Sequence, residues 1–308
     1  MYNEEIKKRY IEDKTAIATV DKFFLPNLFK KSESFEDELG KDLCNFTTSE
    51  IENMYKTLDY KSFDSIVVNN SMYSMYVNWC LNQGMIVDSQ NHFLEFDKRR
   101  LASLVNKMMQ NIQIVTRETV LKWCLEFPNP SDCFLVLGAF EGVKGKNYCD
   151  FVNLKMQDIN LKDNTIKLYS RDKPLIFSKQ LCNYGIESAM ESEYRSVSGE
   201  MKHNVEFIPS DKVIKDYPNC IDNTTEYQMG KRIYNKITRA LNYVGVGDYM
   251  TVSSLVNSGI IYTIKSKSKR LNISCEEYLS THLNEISCQY GKRLVKSNLL
   301  IKYEEYLD

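Results

Sequence analysis

Histidine is scarce in this chain. Its 308 residues hold three, His92, His203 and His282, and no two stand at an HxH or HExxH spacing. That argues against a histidine-metal hydrolase and against most triad chemistry, which need an imidazole beside a metal or a nucleophile. Long apolar runs are missing too. Stretches such as Cys133–Phe140 fall far short of the ~20 residues that cross a bilayer. The opening MYNEEIKKRY lacks an apolar core, so no signal peptide and no membrane are expected. Net charge is nearly absent, with 40 basic against 41 acidic side chains. A strongly basic chromatin-type protein and an acidic tail are thereby excluded, but nucleic-acid binding is not, because a dipolar molecule can be neutral overall. The nine cysteines (Cys44, Cys80, Cys124, Cys133, Cys149, Cys182, Cys220, Cys275 and Cys288) are odd in number and never CxxC-spaced. Neither a disulfide framework nor a zinc site is expected, only buried thiols in a reducing cytoplasm. No cofactor and no metal are expected.

Glycine (12) and proline (6) are also few, and no repeat or low-complexity segment is visible. What the chain has instead is long helical periodicity. Glu4 to about Lys31 reads as helical, with Ile17, Val20, Phe23 and Phe24 apolar and a break at Pro26. Thr47-x-x-Glu50 is a capping box ahead of Ile51, Met54, Tyr55 and Leu58. A further helix from Ser62 carries Tyr73, Tyr76 and Trp79 toward a core and stops at Gly84. Residues 1–85 therefore form a helical, SAM-like domain. Asp88–Asn91 reads as a turn, Asp97–Arg100 as a charge cluster, and Leu101–Ile112 as helix or connector, so residues 86–115 are taken as a linker. The second domain spans 116–308. It opens with a helix ending before Pro128 and Pro130, a buried helix over Cys133–Phe140, the turn EGVKGKN and a short helix from Tyr148 to Leu154.

Then the period shortens. Asp158–Leu161, Thr165–Tyr169 and Pro174–Phe177 read as a three-stranded antiparallel meander around the turn Lys162-Asp163-Asn164. Helices are expected to return after Ser178: one capped by Asn223-x-x-Glu226 and broken at Gly245 and Gly247, one over Ser254–Lys267, one capped by Ser274-x-x-Glu277, and one over Val295–Tyr306. The fold class is mainly α with a small antiparallel β-meander.

This order resembles the tyrosine recombinases (phage integrase family), whose helical core-binding domain and catalytic domain together clamp a DNA duplex. Three stretches carry the likeness. Gly142 to Ile159, with Leu154-x-Met156-x-Asp158-Ile159, stands where the family has GLRxSELLxLxWxDI before its meander. Ser253-Ser254-Leu255-Val256-Asn257-Ser258-Gly259 stands for HxLRHS, and Lys302–Tyr306 stands near the C-terminal tyrosine. Within the family, the EGxKGK turn and the Ser-Gly after the degenerate arginine motif resemble the recombinase-like lytic-cycle repressors of SPβ-type phages, the MrpR/YopR group.

The resemblance also locates what is missing. The first catalytic arginine falls on Asn147, or on Lys144 if the turn holds an insertion. The second falls on Val256, the motif histidine on Ser253, the group after the arginine on Asn257, and the Gly-His/Trp step near Gly291-Lys292. Lys173 or Arg171 stands for the sheet lysine, and Tyr303 for the nucleophile, with Tyr290 and Tyr306 as alternatives. Valine donates no hydrogen bond to a phosphate oxygen, and losing a charged transition-state clamp typically removes several orders of magnitude in rate. The resemblance therefore implies a recombinase fold without strand cleavage: not an enzyme, but a sequence-specific DNA-binding repressor that maintains phage lysogeny at operator sites, in the cytoplasm of a bacterial host and associated with its nucleoid. An active but diverged recombinase forming a covalent Tyr–DNA intermediate is the alternative, and a protein-interaction module without DNA binding a third reading.

Charge supports a C-terminal footprint. Residues 231–308 carry 12 basic and 7 acidic side chains, whereas residues 1–110 carry 14 and 17. Candidate DNA contacts are Lys144, Lys146 and Asn147 in the glycine turn; Arg171 and Lys173 before the third strand; and Lys231, Arg232, Lys236 and Arg239 as a basic ridge. Lys265, Lys267, Lys269 and Arg270 at a helix end, and Lys292 and Arg293 before the last helix, complete the set. In the last helix Leu294, Leu299, Leu300, Ile301, Tyr303 and Leu307 form an apolar set that docks in cis or on a second copy. A homo-oligomer and a small regulatory protein are the further partners considered.

Overall fold

The computed structural model describes residues 1–17, 24–86, 90–107, 111, 113–198, 201–218 and 225–307. Val20, Phe23, Asp88, Ile112, Cys220 and Asn223, used above, lie outside the described residues. The chain divides into two compact units, Met1–Gln110 and Asn111–Asp308.

The first unit is helical: α1 (Glu4–Ile17), α2 (Phe24–Leu39), α3 (Thr48–Thr57), α4 (Phe63–Asn82) and α5 (Lys98–Ser103). The Thr47/Glu50 capping box starts α3 as expected. Pro26 does not end a helix; it sits in the first turn of α2, where its missing N–H has no intrahelical partner to lose, and α2 runs on to Leu39. Tyr73 and Tyr76 are fully buried. Their hydroxyls donate to the Leu28 carbonyl at 2.9 Å and to Asp42 at 3.1 Å, which keeps large rings in the core without stranding a polar tip. Residues expected in the linker belong to this unit. Phe93 and Phe96 are buried with their rings edge-on to Tyr55, and Asp97 caps α5. Two aromatic side chains within four residues of the charge cluster make the segment part of the core.

The second unit begins with α6 (Arg117–Glu126), capped by Thr116, and α7 (Pro130–Glu141). Every residue of α7 from Ser131 to Glu141 is buried, so this helix is the axis of the core. Then come α8 (Cys149–Asn153) and the meander β1 (Ile159–Asn160), β2 (Thr165–Ile166) and β3 (Leu175–Ile176), antiparallel in the order β1-β2-β3. Ile159 pairs with Ile166, and Thr165 with Ile176.

After α9 (Lys179–Met190) the chain makes a second sheet rather than only helices. Strands β4 (Glu193–Ser198) and β5 (Met201–Glu206) form an antiparallel hairpin. Asn129 holds it to the start of α7, exchanging hydrogen bonds with the Arg195 backbone at 2.8 and 3.1 Å, while the Tyr194 hydroxyl donates to Asp132. Long-range bonds fix this hairpin, and local periodicity shows little of it.

Four helices close the unit: α10 (Glu226–Tyr243), α11 (Val252–Leu271), α12 (Cys275–Tyr290) and α13 (Lys296–Leu307). The cap of α10 is Thr225, boxed with Gln228, because Thr225-x-x-Gln228 supplies both the hydroxyl and the N3 amide that such a box requires. The last helix packs in cis, burying Leu299, Tyr303 and Leu307 in the core of its own unit. No described helix is long and apolar enough to cross a membrane.

Candidate nucleic-acid interface

The turn after α7 is built by tight backbone geometry. Gly142 ends the helix in the left-handed region, and Asn147 and Tyr148 share that conformation at φ 51° and 65°. Gly145 has φ 65°, and a Cβ there would lie 2.5 Å from Asp150 Oδ2. Only glycine fits such a position, so the backbone passes directly over a buried carboxylate. On the far side of the turn, a Cβ on Gly230 of α10 would lie 2.1 Å from the Asn147 carbonyl oxygen. The absence of a side chain at Gly230 lets α10 press against the turn. Tyr148 and Tyr234 of α10 add an edge-on ring contact at 6.2 Å.

Lys144 emerges from this turn half-buried, its ammonium 4.8 Å from the Tyr148 ring centroid. Burial and the charge of Lys292 both lower its pKa. Lys292, far away in sequence, is thus within electrostatic reach of Lys144; Lys146 and Asn147 are exposed on the turn, and Arg293 is exposed beside Lys292.

Arg171 holds the turn and the end of α12 together. Its side chain is nearly buried and ion-paired at 3.3 Å with Asp150, which is fully buried. It also donates to the carbonyls of Cys288 at 2.6 Å and Gln289 at 3.4 Å, at the C-terminus of α12 and just before Gly291-Lys292. Asp150 accepts from Ser170 N–H at 2.7 Å as well. Gln289 donates to the Glu141 carbonyl at 3.0 Å, closing the link between α12 and the turn. Arg171 is therefore a positioning residue rather than a solvent-facing DNA contact. Asp150, its anchor, was not among the expected residues; its only sequence signal is a lone carboxylate between Cys149 and the core residue Phe151.

The expected ridge on α10 splits in two. Lys231 is exposed, as is Tyr234 of the same helix. Lys236 is buried at 6% exposure, donates to the Lys215 carbonyl at 3.0 Å, and lies over the Tyr217 ring at 4.7 Å. Arg232 turns toward Asp216 at 3.8 Å. Arg239 is exposed at the edge between the two faces. The i, i+1, i+5, i+8 spacing covers more of the helix circumference than one face.

The positions that the resemblance aligns with catalytic groups are scattered in environment. Val256 is 8% exposed and part of the core cluster; Ser253 is exposed; Asn257 is half-buried. Tyr303 is 2% exposed, at a local break in α13 where φ is −127°. Lys173 is exposed. Lys265, Lys269 and Arg270 are exposed along the end of α11, and Lys267 is ion-paired with Glu285. Lys267 and Arg270 line a broad groove of about 750 Å³ with β3 and α12, and not the glycine turn.

Comparison with known proteins follows this division. Residues 1–82 match the family described as MrpR, N-terminal core-binding domain, and residues 114–307 match MrpR, C-terminal catalytic domain. The chain is 20% identical over 271 residues, 85% of its length, to the SPbeta prophage-derived uncharacterized protein YopR of Bacillus subtilis (strain 168), covering 81% of that protein. Among solved structures, XerA recombinase aligns over 97% of this chain and 93% of its own, at 11% identity and a TM-score of 0.37.

Proposed function

The chain belongs to the MrpR family of recombinase-like phage proteins, and on that premise we propose that it is a sequence-specific DNA-binding repressor that keeps prophage lytic genes silent without cutting DNA. One observation carries the reading: the buried Arg171–Asp150 pair ties the glycine turn to the end of α12, which brings the turn lysines Lys144 and Lys146 and the exposed Lys292 and Arg293 to one side of the unit. A cluster of cations of this kind suits an anion, and on DNA that anion is a backbone phosphate. The exposed face of α10, with Lys231 and Tyr234, lies next to the turn through Gly230. It offers ammonium and hydroxyl groups of the kind that contact phosphates and base edges in a major groove.

The absence of cleavage chemistry is part of the same proposal. At the second arginine position the apolar Val256 is packed into the core, where it has no group to place on a phosphate in flight. Tyr303 is buried at 2% exposure, so its hydroxyl attacks a phosphodiester only after α13 rearranges.

A gel shift of the purified chain tests this, using fragments of its own genome at near-physiological salt with excess competitor DNA. A discrete complex on a few fragments that disappears in SDS is the expected result. A complex that survives SDS identifies an active, diverged recombinase using Tyr303. No complex on any fragment overturns DNA binding by the isolated chain.

A further inference from the structure

A second face of α10 closes a cavity against residues 212–217. Lys236 pins residues 207–217 onto the helix through its bond to the Lys215 carbonyl at 3.0 Å and its position over the Phe207 and Tyr217 rings at 5.5 and 4.7 Å. Between that segment and α10 lies a cavity of about 320 Å³. Its walls are apolar where Val152, Ile214, Met229 and Ile233 line it, and cationic where Lys212, Arg232, Lys236 and Arg239 do. Asp216 is the single carboxylate on its lining, 3.6 Å from Lys212 and 3.8 Å from Arg232. Those separations exceed the 2.7–2.9 Å of a charge-assisted hydrogen bond, so the ion pairs of Asp216 with Lys212 and Arg232 are loose.

The volume lies at the lower end of the range for small-ligand sites. Two guanidinium groups offer the planar fork of donors that recognises a phosphate dianion, and an ammonium adds a point charge beside them. The apolar wall opposite suits a flat ring system. We propose that this cavity binds a nucleoside monophosphate, its phosphate held by Arg232, Arg239 and Lys212 and its base between Ile214, Met229 and Ile233. An occupied cavity fixes Arg232 and Arg239 on the same helix that presents Lys231 and Tyr234. Ligand affinity and operator affinity are then coupled in both directions. That coupling rests on the DNA-binding reading above; the binding itself does not.

Calorimetric titration of the full chain without DNA tests the site, using AMP, GMP, CMP and UMP as probes and adenosine as control. Saturable one-to-one binding of at least one mononucleotide with Kd below about 1 mM is expected, with none for adenosine. Arg232→Ala should weaken it at least ~10-fold, the loss of one charge-assisted bidentate contact. Met229→Trp, which fills the cavity, should abolish it. If Met229→Trp fails to fold, Lys212→Ala supplies the second test and should weaken binding several-fold. No saturation by any of the four nucleotides overturns the proposal, as does binding indifferent to both Arg232→Ala and Lys212→Ala. If no nucleotide binds while Arg232→Ala weakens operator binding, the cavity takes a DNA backbone phosphate instead, and the ligand site is overturned while the repressor reading stands.

Discussion

Lys144 and Lys292 stand close enough for the charge of one to weaken proton binding by the other, although one lies on the turn after α7 and the other after α12. Each cation raises the electrostatic energy of its neighbour, and a phosphate between them relieves that energy. The pair therefore predicts a particular signature in DNA binding. Replacing both by alanine should reduce the salt slope of binding by about two and weaken all DNA sequences roughly equally, because phosphate contacts carry no sequence information. Lys144 loses its proton at lower pH than an ordinary lysine, so affinity should fall on alkalinisation before the remaining lysines titrate. Filter binding across salt and pH checks both statements; an unchanged slope in the double variant would remove the pair from the interface.

Lys231 and Lys236, five residues apart on α10, should fail in different ways. Lys231→Ala should lower operator affinity and leave the melting temperature unchanged. Lys236→Ala removes a buried ammonium from the Lys215 carbonyl and from two aromatic faces, and should cost about 1–3 kcal/mol of stability. Thermal melts beside binding curves separate the two effects. Equal behaviour of the two variants would contradict the split of the ridge.

Glu191 gives the second unit a pH-dependent stability. Burial raises its carboxyl to about 7 from an ordinary value of 4.5, against the opposing pull of Ser131. The folded state therefore keeps a proton that the unfolded chain has already released between those two values. Stability should fall as pH rises from about 4.5 to about 7 and then level off. Glu191→Gln, which keeps the shape without the ionisation, should flatten that part of the profile. Denaturant midpoints of both proteins from pH 4 to 8 decide it.

In the first unit Lys7 and Glu36 form a fully buried ion pair at 2.5 Å. Glu36 also accepts from the Leu43 N–H at 2.8 Å and from the Ser32 hydroxyl at 3.0 Å. Breaking the pair leaves an uncompensated buried charge, so Lys7→Ala should destabilise this unit by ~3–5 kcal/mol. Lys7→Met combined with Glu36→Gln should recover a large part of that loss. Chemical denaturation of the three proteins supplies the comparison, and a single variant no less stable than the double one would contradict it.

Much of the architecture was legible because it is local. Helix starts such as Thr47-x-x-Glu50 and Ser274 announce themselves, since the capping side chain and the amide it receives lie within one turn. The meander showed in its change of period, and the continuous apolar run of α7 showed the core. The resemblance carried by Gly142–Ile159 and by the Val256 motif led to the family. Three-dimensional packing decided the rest. The β4–β5 hairpin depends on Asn129 and Asp132, more than 60 residues away in sequence. Phe93 and Phe96 draw an apparent linker into a core. Arg171 and Lys173, two residues apart, read alike as cations, yet Arg171 is bound to Asp150 and to helix-end carbonyls while Lys173 faces solvent. A sequence specifies which side chains are charged; their distance from a buried carboxylate, an aromatic face or another ammonium exists only once the chain has folded, and that distance decides which charges serve the fold and which face outward.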